Sequence, residues 1–284
     1  MKKINRLWLL LVTVALQVSV CHAQFGFGGN QQSETTAQYS EKFTDMNYAD
    51  DGQAYHTLDV YLPTKEAVKS DTYPVIIHIY GSAWFSNSSK GMADINTICA
   101  ALLDAGYAVV CPNHRSSMDA KYPAQINDVK AVVRWVRANA EKYHFDTSFI
   151  GTSGFSSGAH LASLCAATNG IKVAKKGDAE YDIEGSVGNN ANQSSEVNAC
   201  CEWSGPIDLM NMDCDGIKKQ HPAPEDALMG FEYQGHEDAY DLLSPIYFIN
   251  ETTVPIRVCH GLSDNVVPNC QGKEFFDALT SAGV

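Results

Sequence analysis

The chain has no apolar run long enough to lodge in a bilayer. Its longest, from Leu7 to Val20, falls short of the ~20 residues that a helical span needs. It has no Lys/Arg cluster that would give a basic face, which excludes a nucleic-acid partner and disfavours an anionic membrane surface. No cysteines stand at metal-ligand spacing, since Cys200 and Cys201 are adjacent rather than two residues apart, so neither a metal nor another cofactor is expected. There is no internal repeat and no clear linker. The 284 residues, 45% of them apolar, therefore suit one large domain with a sizeable core.

The first residues do have a pattern. Lys2, Lys3 and Arg6 precede the apolar stretch, and Cys21-His22-Ala23 supplies small residues where a signal peptidase reads. A signal peptide over residues 1–23, cut before Gln24, is expected, and with it a secreted or periplasmic protein without stable membrane insertion. Beyond the cut, 17 basic residues face 33 acidic ones, a net charge of −16. A neutral substrate meets no repulsion from such a surface. Export also permits disulfides. Of the eight remaining cysteines, Cys214 and Cys270 sit in polar loops and are the better bridge candidates. Cys111, Cys165 and Cys259 read as small core residues.

Residues 24–45, rich in Gly, Gln and Ser, read as a flexible lead-in. From residue 46 on, strand-like and helix-like segments alternate. Strands are expected at His56–Leu62, Tyr73–Tyr80, Tyr107–Cys111, Ser148–Thr152, Asn198–Trp203 and Pro255–His260. Helices are expected over 91–105, 122–143, 157–167 and 269–282. In the second of these, Ile126, Val129, Val132, Val133 and Val136 fall on one face. Residues 170–197 are polar and read as a surface excursion. The alternation predicts an α/β fold, a mainly parallel sheet with helices on both faces.

The most informative pattern is Gly154-Phe155-Ser156-Ser157-Gly158, a G-x-S-x-G between a short strand and a helix of small residues. A tight strand-to-helix turn exposes the middle serine at the carboxyl edge of a sheet and needs small residues on either side. Ser153 and Ser157 lack them at both offsets, so Ser156 is the candidate nucleophile. The backbone N–H of Ser157 would point at a developing oxyanion from a helix N-terminus. Tyr80-Gly81-Ser82-Ala83-Trp84, after a β-branched run, could supply further N–H donors, although Gly-Ser after a strand is also ordinary turn chemistry. Asp264, in His260–Pro268, reads either as a turn cap or as an acid that orients an imidazole. Trp84 is a candidate substrate contact, with core packing as the alternative.

These motifs, with LDVYLP (58–63), YPAQINDVKAVVRW (122–135) and SGPIDL (204–209), resemble the α/β-hydrolase superfamily. The nearest group resembles the bacterial esterases related to acetyl-xylan and feruloyl esterases, close to hormone-sensitive-lipase-like carboxylesterases. The resemblance implies an α/β-hydrolase fold and a serine esterase acting through an acyl-enzyme on small esters or polysaccharide acyl groups. It implies Ser156 as nucleophile, Asp264 as acid, and oxyanion donors from Ser82, Ala83 and Ser157. A prolyl-oligopeptidase-like peptidase and a non-catalytic binding protein are the alternatives. The family usually has His-Gly-Gly-Gly-Trp where this chain has Tyr80-Gly81-Ser82-Ala83-Trp84, and Ser82 and Ala83 enter positive φ less cheaply than glycine.

The family order is Ser, Asp, His, with the histidine after one more strand. This sequence has no histidine after His260. His22, His56, His78, His114, His144, His160, His221, His236 and His260 all fall elsewhere. The expectation is a chain that stops before that last strand and its base, with a natural non-catalytic form as the other explanation. Either way the chain as written is expected to be a poor catalyst with an open, aggregation-prone sheet edge.

Overall fold

In the computed structural model, residues 36–284 are described, apart from 69, 93 and 217–222. The expected signal peptide and the lead-in up to residue 35 lie outside the described residues. The elements are β1 (Glu41–Asn47), β2 (Thr57–Leu62), β3 (Tyr73–Ile79), α1 (Ile98–Asp104), β4 (Ala108–Pro112), α2 (Ala124–Ala138), α3 (Ala140–Tyr143), β5 (Phe145–Phe155), α4 (Ser157–Ala167), β6 (Val173–Lys176), β7 (Ala179–Asp182), β8 (Ala199–Trp203), α5 (Pro224–Met229), α6 (Glu237–Asp241), β9 (Ile256–Cys259) and α7 (Cys270–Ala282).

The β-branched runs become the central strands because they are buried on both faces. Val75, Ile77, His78 and Ile79 of β3 are inaccessible, as are Val109 and Val110 of β4. The main sheet runs in the order β1-β2-β4-β3-β5-β8-β9. The first two pairings are antiparallel, and the four from β4 to β9 are parallel. Parallel strands carry their chain-forward ends to one edge, so the loops after β3, β5, β8 and β9 share it.

Helix α2 buries its expected apolar face: Ile126, Val129, Val132, Val133 and Val136 are at most 1% exposed. Three of its charged residues, Asp128, Lys130 and Arg134, are buried too, and each has a partner, as the cost of burying a charge requires. Asp128 meets Arg115 at 2.6 Å and His56 at 3.2 Å, while Lys130 and Arg134 both pair with Glu184.

Three boundaries differ from expectation. Residues 41–47 are strand β1 rather than lead-in, because Phe43 and Met46 pack against the core and Phe43 meets the Tyr143 ring edge-on at 4.9 Å. The polar segment 170–197 contains the β6–β7 hairpin, with Ala174, Ile183 and Val197 buried and Glu184 turned inward to α2. The helix expected from residue 91 begins only at Ile98.

Cys214 and Cys270 form a disulfide, as their loop positions suggested. It fastens the loop after β8 to the first residue of α7. Cys111 and Cys165 are buried, whereas Cys259, expected in the core, is half-buried because β9 is an edge strand.

Candidate active site

Ser156 occupies the turn between β5 and α4 at φ 55, ψ −125. An L-residue holds such a conformation only where its surroundings over-determine it. Here they do. Ser156 N–H donates to Trp203 O of β8 at 2.9 Å, and Ser156 O accepts from His160 N at 3.1 Å. The two glycines permit the approach: a Cβ at Gly154 would lie 2.7 Å from Ala159 N, and one at Gly158 would lie 2.5 Å from Tyr80 O. The Ser156 side chain is half-buried. Among the described residues, its hydroxyl has no hydrogen-bond partner. The free N–H groups of α4 begin at Ser157, so a negative charge beside Ser156 would lie at a helix N-terminus.

The loop after β3 lies against this turn. Ala83 and Trp84 adopt φ 50 and 60. Phe85 N–H donates to Ser82 O at 3.0 Å, and Ser117 N–H to Trp84 O at 2.8 Å. Among the described residues, the N–H groups of Ala83 and Ser157 have no partner, but that of Ser82 does: it donates to Ser157 Oγ at 2.9 Å. Ser82 is thus occupied, unlike the free donor expected of it. Trp84 takes the core-packing reading, one of the two left open for it. It is 2% exposed, and its indole meets His160 edge-on at 5.1 Å, so it is turned into the core rather than toward a ligand. Phe85, next to it, is 48% exposed.

Asp264 lies at the same sheet edge, on the loop after β9. Its Oδ1 accepts from Val266 N at 2.9 Å and Val267 N at 3.0 Å. Its Oδ2 stands 3.9 Å from His260 Nε2, beyond hydrogen-bond reach. That His260 nitrogen donates to Val267 O at 2.9 Å. Asp264 therefore caps its own turn through one oxygen and presents a second that no imidazole among the described residues engages.

Among the described residues, most of the other histidines are bonded away from Ser156. His160, one turn after Ser156, is fully buried and bonds through Nε2 to Leu243 O at 2.8 Å. Burial pulls its pKa down to about 4, so it is neutral and faces away from solvent. His56 lies between Asp51 and Asp128, and His78 between Ser153 and Asp94. His114 bonds to Arg115 O, and His236 to Glu232 O. His144 ends α3 in the left-handed region. His22 and His221 lie outside the described residues. No three His, Cys, Asp or Glu side chains among the described residues gather to hold a metal ion.

Two residues of this edge escaped the sequence reading. Ser204, at φ 51, donates its N–H to Cys259 O at 2.8 Å and so joins β8 to β9 between Ser156 and Asp264. Glu202, wholly buried beneath the start of α4, accepts from Gly205 N through one oxygen, and its other oxygen is unpartnered. Burial raises its pKa to about 8. The signal for Ser204 was the SGPIDL segment, which marked a turn without showing what the turn holds, and Glu202 stood out only as a charge within an expected strand.

The BD-FAE family profile matches residues 58–279. Esterase LipQ of Mycobacterium tuberculosis is 28% identical over 246 residues, which cover 87% of this chain and 54% of that protein. The chain spans about half the length of the curated relatives it matches. Among solved structures, a truncated form of a carbohydrate esterase from gut microbiota superposes with a TM-score of 0.83 at 45% identity, covering 87% of this chain and 86% of that one. A bifunctional GH43-CE protein of Bacteroides eggerthii superposes with a TM-score of 0.81 at 48% identity, over 85% of this chain and 31% of that one. With its mostly parallel sheet and its serine at the strand-to-helix turn, the chain has the α/β-hydrolase fold and belongs to the BD-FAE family.

Proposed function

We propose that the chain is an exported serine carboxylic-ester hydrolase acting through an acyl-enzyme on acyl groups of polysaccharides or on small esters. One observation carries this reading. Ser156 is held in a strained turn with an unengaged hydroxyl, at the N-terminus of α4 and beside the unpaired N–H groups of Ser157 and Ala83. Ser156 Oγ attacks the ester carbonyl, and those N–H groups stabilise the negative oxygen that forms. An imidazole oriented by Asp264 takes the serine proton and passes it to the leaving alcohol, and water then releases the acid. The net charge of −16 beyond the signal peptide favours neutral esters. The names of the carbohydrate esterase and GH43-CE neighbours support a carbohydrate alcohol.

The imidazole is the one component that the described residues do not supply. A chain limited to them should retain only the ~10³–10⁴-fold advantage over water that oxyanion stabilisation leaves. The same observation favours a second reading, a binding protein on the hydrolase fold. A fluorophosphonate probe separates the two. Slow labelling that mass spectrometry locates at Ser156, lost in Ser156→Ala, together with acetate release from acetylated xylan, is the expected result. A serine that stays unlabelled after prolonged exposure would remove the esterase reading and leave the binding one.

A further inference from the structure

The bond from Ser82 N–H to Ser157 Oγ joins residues 75 apart in sequence, and Ser157 is 1% exposed. It ties together two segments that need a tie. The loop carries two non-glycine residues, Ala83 and Trp84, in the left-handed region, which L-residues enter at a cost. Its entry is wedged on the nucleophile's turn, for a Cβ on Gly81 would come within 2.7 Å of Phe155 O and 2.8 Å of Ser156 Cβ. Its exit is held by Ser117 N–H on Trp84 O. Between these points, the Ser157 hydroxyl is the acceptor that holds the middle of the loop to α4. The two unpaired donors, Ala83 N–H and Ser157 N–H, belong to the residue next to one end of that bond and to the residue at its other end.

We propose that the Ser157 side chain is a positioning group for the oxyanion site: its hydroxyl takes the Ser82 N–H, withdraws it from the reaction, and sets Ala83 N–H and Ser157 N–H as the converging pair. This rests on the esterase reading. A loop with Ser82 and Ala83 in place of glycines relaxes unless it is fixed from outside, and Ser157 Oγ supplies that fixture. A displacement of about 1 Å at such a site can cost on the order of 100-fold in rate.

Phenylboronic acid tests the geometry without a catalytic base. Ser156 loses its hydroxyl proton to the buffer and donates an oxygen lone pair to boron. The Oγ–B bond makes a tetrahedral anion with a boron-bound oxygen at the oxyanion position. Formation of this adduct by residues 24–284, read by ¹¹B NMR and absent in Ser156→Ala, is the baseline. Ser157→Ala should weaken the affinity by about tenfold or more, with the ~10²–10³-fold cost of losing an oxyanion donor as the upper bound. Ala83→Gly in that background should restore most of it by removing the cost of positive φ, a recovery that a purely structural role of Ser157 in α4 would not give. Amide exchange at Ser82 should be slow in the wild type and fast in Ser157→Ala. Affinity that is unchanged or tighter in Ser157→Ala, with Ser82 N–H acting as a third donor, would overturn the positioning role and leave the esterase reading intact. No adduct with the wild type would overturn both.

Discussion

The candidate nucleophile Ser156 and the candidate acid Asp264 stand at the same edge of one sheet, but they are held in different ways. Ser156 follows β5, which pairs with β3 on one side and β8 on the other. Its turn touches backbone from β3, β8 and α4. Asp264 follows β9, a four-residue edge strand. Around it Leu262 is 88% exposed, Val266 58% and Phe276 60%. One oxygen of its carboxylate is engaged by its own turn, and the other is left open. The first position is fixed by close packing of backbone on backbone. The second is fixed by local hydrogen bonds, by Ser204 and by a covalent clamp at the start of α7. A site half built into the interior and half built on a rim tolerates change very unequally.

The largest effect should come from Gly158→Ala. The new methyl group would lie against the carbonyl oxygens of Ile79 and Tyr80, and neither backbone has a side chain's freedom to yield. A loss of at least about 4 kcal/mol, in the range reserved for severe core faults, is expected, together with loss of Ser156 labelling. Urea unfolding followed by tryptophan fluorescence measures it. A variant within 1 kcal/mol of the wild type would mean that the nucleophile's turn is looser than its contacts imply.

On the rim, the clamp comes next. Replacing Cys214 and Cys270 together by Ala removes a cross-link spanning 56 residues. A loss of about 3 kcal/mol is expected from the added freedom of the unfolded chain. Calorimetry of the double variant beside the oxidised parent tests it. An equal melting temperature would show that packing of Phe275 and Leu279 alone seats α7.

How legible each region was in the sequence follows the same division. The strands that became β3 and β4 announced themselves because burial on both faces demands uninterrupted apolar, β-branched residues. Strand β1 was hidden because it pairs on one side only, and EKFTDMN offers just Phe43 and Met46 to the core. The turn that carries Ser156 was legible because steric crowding forces glycine at Gly154 and Gly158, and a forced residue leaves a mark. The bond between Ser82 and Ser157 was not legible. Any serine satisfies local rules at either place, and only the fold brings them together. The inward turn of Trp84 was one of two open readings, and its burial against His160 decided it, whereas Asp264 caps its turn through one oxygen and leaves the other open to the acid role.

Glu202 lies beneath the boundary between the two regions and responds to pH. In the folded chain its carboxyl keeps its proton up to about pH 8, whereas an ordinary glutamate gives it up near 4.5. The unfolded state therefore binds fewer protons between these values. The contribution of Glu202 to stability is fullest below about pH 4.5 and falls as pH rises toward 8, by about 1.4 kcal/mol for each unit inside the window. Glu202→Gln preserves an acceptor for Gly205 N–H and cannot ionise. It should match the wild type near pH 4.5 and become progressively more stable than it toward pH 8. Melting temperatures of both proteins at pH 4.5, 6 and 8 decide the matter. A constant offset would show that Glu202 is already charged in the fold.

The smallest effect should fall on Asp264, and the choice of substitution separates its two bonds from its charge. Asn can keep an oxygen facing Val266 N–H and Val267 N–H, so Asp264→Asn should stay within about 0.5 kcal/mol of the wild type, as replacements that preserve a site's contacts usually do. Ala leaves both N–H groups to water, and a turn or cap acceptor lost in this way costs about 1 kcal/mol. The loop is partly exposed, so solvent limits the penalty. Hydrogen exchange at Val266 and Val267 should rise in the Ala variant and not in the Asn variant. If Asp264→Asn destabilised as much as a change at Gly158, the rim would be as tightly determined as the nucleophile's turn. The contrast would then fail at the residue on which it depends most.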